Sequence, residues 1–257
     1  MRAKTRALTL PQIAFPAMGW IRRRPATVKK NLYEEWEVAH LRQLFDHYAV
    51  DCVFDVGANV GQYARMLREK VKFTGLVISF EPNPDAAAAL RRSARGKSDW
   101  VVEDLAIGAS DGTATFNVMK ASQFSSLSTP RHDEVDIFAK KNTITKSVTV
   151  KTENLATTLE RLSSHYAFRR PFLKLDTQGF DVQIVTSARD AVRRFVGLQS
   201  ELSVKKIYGD SVDFRDAITT YEECGFQLSA LVPNNEGHFP RLVETDCIMV
   251  RSDLLSA

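Results

Sequence analysis

Val53-Phe54-Asp55-Val56-Gly57-Ala58-Asn59-Val60-Gly61 reads as a buried strand running into a glycine turn. Val53, Phe54 and Val56 suit a strand covered on both faces. Gly57 and Gly61 carry no Cβ, so the backbone can turn sharply there and approach a ligand closely. Tyr63, Met66 and Leu67 then recur at helical spacing. A strand, a glycine turn and a helix N-terminus together predict a nucleotide-type site at the carboxyl edge of a parallel sheet.

The flanking sequence repeats that unit. Leu76–Phe80, Trp100–Val102, Pro171–Asp176 and Val196–Leu202 read as further core strands. Helical patterns cover 34–49, 61–70, 85–94, 155–162, 180–187 and 214–224, with Gly225 suited to the last C-cap. In the first of these, Glu34, Glu35 and Glu37 are expected in the opening turn, where negative charge suits the helix dipole. Asp111-Gly112 is a hairpin signal, followed by an alternating strand at 113–118, and 148–150 is a short strand. Residues 122–130 read as a loop. The chain closes on strands at 226–231 and 245–251 around a turn with Pro233, Asn234, Asn235 and Gly237. This order predicts an α/β doubly wound sheet with an antiparallel edge strand. Residues 31–257 are expected to form a single domain, with about 113–150 inserted over the site.

The chain has 257 residues, 44% hydrophobic and 26% charged, as in a soluble globular protein. Its formal charge is +4, yet the first thirty residues hold eight basic and no acidic side chains. The rest is therefore net acidic, which argues against nucleic acid as a partner. Residues 1–30 read as a flexible basic arm. A sharper alternative is peripheral contact of this arm with an anionic membrane, helped by Phe15, Met18, Trp20 and Ile21. No apolar run is long enough to span a bilayer. Cys52, Cys224 and Cys247 show no metal spacing and predict reduced, buried thiols in a cytoplasmic protein.

Several charged residues sit where buried strands end. Asp55 precedes the first glycine, and the Gly57–Gly61 spacing is wider than in G-x-G-x-x-G. A pyrophosphate disfavours such an acid, whereas a cationic cofactor suits it. S-adenosylmethionine carries both a sulfonium and an ammonium group. Gly57, Asn59 and Gly61 form its expected seat, and Glu81 is placed for ribose hydroxyls. Asp104, after the third strand, is a candidate for the adenine amino group, or else an exposed turn acid. Lys174 and Asp176 share one face of a central strand, which is costly unless they are paired or functional. A structural pairing of Lys174 with Asp176 or Glu201 is the alternative to a functional role. Asp181, opening the next helix, fits the dipole. His132 and His238 lie in loops that could reach the mouth.

Taken in order, Asp55-Val56-Gly57-Ala58-Asn59-Val60-Gly61, Phe80-Glu81-Pro82-Asn83 and Lys174-Leu175-Asp176-Thr177-Gln178-Gly179-Phe180-Asp181 resemble the FkbM family of S-adenosylmethionine-dependent methyltransferases. The likeness spans roughly residues 50–251. It implies the Rossmann-like class I methyltransferase sheet of seven strands with an antiparallel last strand. It also implies O-methylation of a hydroxyl on a small-molecule or glycan acceptor, such as a sugar or secondary metabolite. Asp176 is then the first candidate for the base or for orienting the acceptor, with Lys174 supporting it. The family commonly has glutamate where Gln178 and Asp181 stand. Gln178 motivates one alternative, a non-catalytic binding protein on the same scaffold. A nicotinamide-dependent oxidoreductase is the other, disfavoured by the glycine spacing. No metal site is expected.

Overall fold

The computed structural model describes residues 25–131, 140–234 and 240–255. In chain order the elements are α1 (Pro25–His47), β1 (Cys52–Val56), α2 (Gln62–Met66), β2 (Leu76–Phe80), α3 (Pro84–Ala94), β3 (Trp100–Glu103), β4 (Ala106–Gly108), β5 (Gly112–Met119), β6 (Ile144–Asn154), α4 (Leu155–His165), β7 (Pro171–Leu175), α5 (Asp181–Ser187), α6 (Arg189–Val192), β8 (Gly197–Ser203), α7 (Phe214–Glu223), β9 (Phe226–Asn234) and β10 (Glu244–Arg251). Seven strands make one sheet in the order β3-β2-β1-β7-β8-β10-β9, and β4-β6-β5 make a second, smaller sheet. The first thirty residues are not all arm: α1 already begins at Pro25, and residues 1–24 lie outside the described residues.

The large sheet is covered on both faces, as the apolar runs require. Phe54, Phe80, Leu173, Phe195 and Tyr221 pack in one core. Val53, Val77, Phe172, Leu41 and Leu90 pack in the other. Neighbouring residues of β1 and β7 therefore alternate between the two cores, the period of an extended chain. Asn83 caps α3 by accepting from the Asp85 N–H at 3.1 Å, and Pro84 follows at the first helical position. No helix among the described residues is long and apolar enough to cross a membrane.

Four local expectations change. The antiparallel strand, β10, does not lie at the edge but between β8 and β9. Cys247, Ile248, Met249 and Val250 are all buried, and so continuous an apolar run belongs inside a sheet. Gln227, Leu228 and Ser229 are exposed, so β9 takes the edge. Asp111-Gly112 does not join a hairpin of β4 and β5, because β6 lies between them. The Asp111 carboxylate instead accepts from the Asn154 N–H at 2.7 Å and the Thr157 hydroxyl at 2.9 Å, fastening the β6–α4 junction. β6 has eleven residues rather than three. The early start of α1 puts Glu34 and Glu37 in mid-helix, not in an opening turn. The turn residues Asn235 and Gly237 lie outside the described residues.

The chain runs outward through β1, β2 and β3, then returns to lay β7 against the other side of β1. That reversal opens a crevice at the carboxyl ends of β1 and β7. Gly57 sits in it with φ +80°, and a Cβ there would stand 2.0 Å from the Asp176 carbonyl oxygen. Gly57→Ala should therefore lower stability by about 1–3 kcal/mol, a fall of about 2–12 °C in Tm for a chain of this size. Thermal denaturation followed by circular dichroism measures it, and an unchanged Tm would contradict this close approach.

Candidate active site

Strand register builds the site. Asp55 lies beside Ser79 on β2 and beside Lys174 on β7. Lys174 lies beside Gln199 on β8, and Asp246 of β10 lies beside Glu201. A polar row thus crosses the centre of the sheet on one face. Trp100 Nε1 donates to Ser79 Oγ at 3.0 Å, and Ser79 donates to Asp55 Oδ2 at 2.9 Å. Tyr63 donates to Gln199 Oε1 at 2.9 Å, and Gln199 Nε2 donates to Glu37 Oε1 at 2.8 Å.

A cavity of about 340 Å³ opens over this row, within the size range of small-molecule sites. Asp55, Gly57, Asn59, Glu81, Lys174 and Asp176 all line it. Two expected residues do not. Gly61, at φ +86°, is packed behind the turn, where a Cβ would meet Leu90 and Trp100 at 2.8 Å. Asp104 is exposed and ion-paired with Arg91. Its neighbours Leu105, Ala106 and Ile107 reach the cavity instead. An acid that ends a strand is free to turn to solvent, and Arg91 of α3 gives it a partner there.

Glu81 is buried, with Oε2 accepting from the Asn59 N–H at 2.7 Å and Oε1 from the Asn83 N–H at 2.7 Å. Asn59 holds φ +48° to aim its N–H this way. Burial pushes Glu81 up to about 7 despite these two donors. Burial likewise pushes Asp55 up to about 6, although Lys174 and Ser79 oppose it.

Lys174 is buried, with Nζ 3.2 Å from Asp176 Oδ2 and donating to the Leu175 carbonyl at 3.1 Å. Burial disfavours its charge, but Asp176, Asp246, Glu201 and Asp55 outweigh that and hold the ammonium protonated. Gln178 has φ +57° and is buried. Its Nε2 donates to Asp176 Oδ1 at 2.8 Å and to Glu201 Oε2 at 2.6 Å, and its Oε1 accepts from Tyr208 at 2.8 Å. Asp181 is also buried, accepting from the Thr177 N–H at 2.9 Å and the Ser200 hydroxyl at 2.8 Å, so it closes the turn rather than only meeting a dipole.

Segment 121–130 lies across the mouth. Ser122 donates to Asn59 Oδ1 at 3.1 Å, and Ser126 donates to the Thr177 and Gln178 carbonyls at 2.9 and 3.0 Å. Glu37, Tyr63, Gln199 and Asp246 also line the cavity and were not expected there from sequence. The alternation of Asp246 with buried Thr245 and Cys247 was the available signal. His132 and His238 lie outside the described residues.

A seven-stranded sheet in this order, with its cavity at the carboxyl ends of β1, β2 and β7, defines a class I methyltransferase fold, whose methyl donor is S-adenosylmethionine. The methyltransferase FkbM domain matches residues 55–228, and the chain belongs to that family. No curated protein matches the sequence. Among solved structures, the chain is similar to a methyltransferase FkbM from Methylobacillus flagellatus KT, at 14% identity and TM-score 0.47, over 77% of this chain. It spans 43% of that protein's length. It is also similar to magnesium protoporphyrin IX methyltransferase from Synechocystis PCC 6803, at 9% identity and TM-score 0.48, over 91% of this chain and 87% of that one. A third is Aeropyrum pernix fibrillarin, at 10% identity and TM-score 0.44, over 78% and 66%.

Asp55 and Glu81 bind protons more tightly when folded than an exposed carboxyl does. Such groups stabilise fully below their unfolded values, near 4, and that contribution is lost as pH rises through about 6 to 7. The ligand-free protein should therefore melt at a higher temperature at pH 5 than at pH 7.5. Differential scanning calorimetry across that range checks the sign, and Asp55→Asn should flatten the slope.

Proposed function

We propose that the chain is an S-adenosylmethionine-dependent O-methyltransferase acting on a hydroxyl of a small sugar-like or secondary-metabolite acceptor. The observation that carries this is the convergence of Asp55, Glu81 and Asp176 from three strands on one cavity. The residues present suit the cofactor. Gly57 leaves the backbone uncovered, and Asp55 and Glu81 offer anionic oxygens in a recessed, partly dry setting. Each Glu81 oxygen accepts one backbone N–H and keeps a lone pair for a ribose hydroxyl. Asp55, Gly57, Asn59 and Glu81 would hold the cofactor, with Leu105, Ala106 and Ile107 giving it an apolar wall. When bound, it supplies an electrophilic methyl group.

The chain's own task is then to place and ready the acceptor hydroxyl. Orientation of reacting groups can contribute about 7–11 kcal/mol of barrier lowering. Lys174 and Gln178 fix Asp176 from two sides, which suits it to accept the acceptor's O–H hydrogen bond and set its direction. Gln178 does not leave a gap where the family commonly has glutamate, because its amide ties two carboxylates that would otherwise repel. That supports a working site over a merely binding one. The three free, buried cysteines favour a reducing cytoplasmic setting, and the acid-lined cavity favours a small acceptor over a nucleic acid.

Glu81→Gln should weaken S-adenosylhomocysteine binding about tenfold to a hundredfold in calorimetry, since a hydrogen bond to a charged group contributes about 1.5–3 kcal/mol. Undiminished affinity would remove Glu81 from the donor seat. Asp176→Asn should leave that affinity intact and lower methyl transfer from labelled S-adenosylmethionine by about 100-fold or more. Gln178→Glu crowds three carboxylates, so it should cut the rate and raise the pH at which activity appears.

A further inference from the structure

Past the residues assigned to the methyl donor, the cavity continues under α1, α2, β8 and β10, and this half is where an acceptor must lie. Glu34, Glu37, Glu201 and Asp246 face it. Among the described residues lining the cavity, Lys174 is the single basic one, and its one charge is shared among Asp176, Asp246, Glu201, Asp55 and Glu37, so the acids stay in excess. Glu34 has its cation outside, in Lys70 of the π-helical segment Leu67–Val71 that continues α2. Glu37 is served differently. Gln199 donates to Glu37 at 2.8 Å and lines the cavity together with Asp246. Its own carbonyl is taken by the Tyr63 hydroxyl at 2.9 Å. These bonds come from a neutral amide. They satisfy hydrogen-bonding capacity without cancelling charge.

A recessed pocket that hydrogen-bonds its carboxylates through amides keeps a negative field over the space in front of them. An anionic acceptor would enter against that field. A neutral one would gain hydrogen bonds only. A cation would gain both and would relieve the crowding of Asp246 by Glu37 and of Glu37 by Glu34, each of which raises its neighbour's proton affinity.

We infer that the acceptor carries a protonated amine beside the hydroxyl that is methylated, and that Glu37 and Asp246 receive that amine. This rests on the methyltransferase reading above and names the charge class of its substrate. It makes the α1–β10 side of the cavity a specificity element, with Gln199 as a positioning residue for Glu37.

The test uses three sugars with the same ring and different charge: glucosamine, N-acetylglucosamine and glucuronate. Each is titrated calorimetrically into the full chain saturated with S-adenosylhomocysteine. Glucosamine should bind about tenfold or more tighter than N-acetylglucosamine, with glucuronate weakest. Asp246→Asn and Glu37→Gln, on separate elements, should each shrink that preference while S-adenosylhomocysteine affinity stays in place. Equal binding of the three, preference for glucuronate, no heat from glucosamine, or a preference unmoved in both variants would overturn the inference. So would tighter binding of magnesium chloride alone, which would assign the same charge to a metal ion. Failure of S-adenosylhomocysteine to bind in the first titration is a separate result, and it strikes the donor site itself.

Discussion

The Lys174 ammonium is the interaction on which the site depends. It stands buried in the middle of a sheet, with Asp176 just past the end of its own strand and Asp55, Glu201 and Asp246 on β1, β8 and β10. At 3.2 Å and an effective dielectric near 20, its attraction to Asp176 alone is about 5 kcal/mol before desolvation is charged against it. Removing one partner of such a buried arrangement typically costs about 3–5 kcal/mol, because the remaining charges stay behind. The acids could not be gathered on one face without this cation, and the cation could not be buried without the acids. Strand register enforces the arrangement, since Asp55, Lys174 and Gln199 sit side by side on three adjacent strands.

Around that centre the protein uses neutral donors. Ser79, Gln178, Gln199 and the backbone N–H groups of Asn59 and Asn83 each satisfy a carboxylate without neutralising it. The result is a pocket whose polar groups are ordered but whose field is still directional. Order of this kind is what a displacement reaction needs, because it asks for alignment more than for covalent participation.

The functional strand ends are legible in the sequence, and most of their strand neighbours are not. Asp55, Glu81, Lys174 and Asp176 stood out because each interrupts or ends an apolar run, and a charge there needs a reason. Glu37 and Gln199 give no such sign, and Asp246 is marked only by its place at the head of the apolar run 247–250. Gln199 and Glu37 lie 162 positions apart; strand register sets Gln199 beside Lys174 and Asp246 beside Glu201, and α1 brings Glu37 to them. Asp104 misled for the converse reason: a strand end points two ways, and Arg91 decides which. In the fold, the long apolar runs of β1, β2, β7 and β8 were plain. β6 was read short because most of its first half is exposed and it carries few apolar residues. A closing hairpin suggests the sheet edge for β10, whereas its run of apolar side chains belongs in the interior.

That interior place of β10 bears on how the chain reaches its native state. The last strand in sequence fills the slot between β8 and β9, so the sheet has a missing plank until the final elements are available. β9 meets no other strand of the sheet before β10 arrives. A nascent chain emerging from the ribosome can pair β1, β2, β3, β7 and β8, yet it must wait for residues 244–251 before the far edge docks. Such long-range closure is slow compared with local pairing. Asp246 travels on that same strand, so the acidic wall of the cavity is assembled only in the closing step of folding, and a half-made chain holds neither an intact sheet nor a complete pocket.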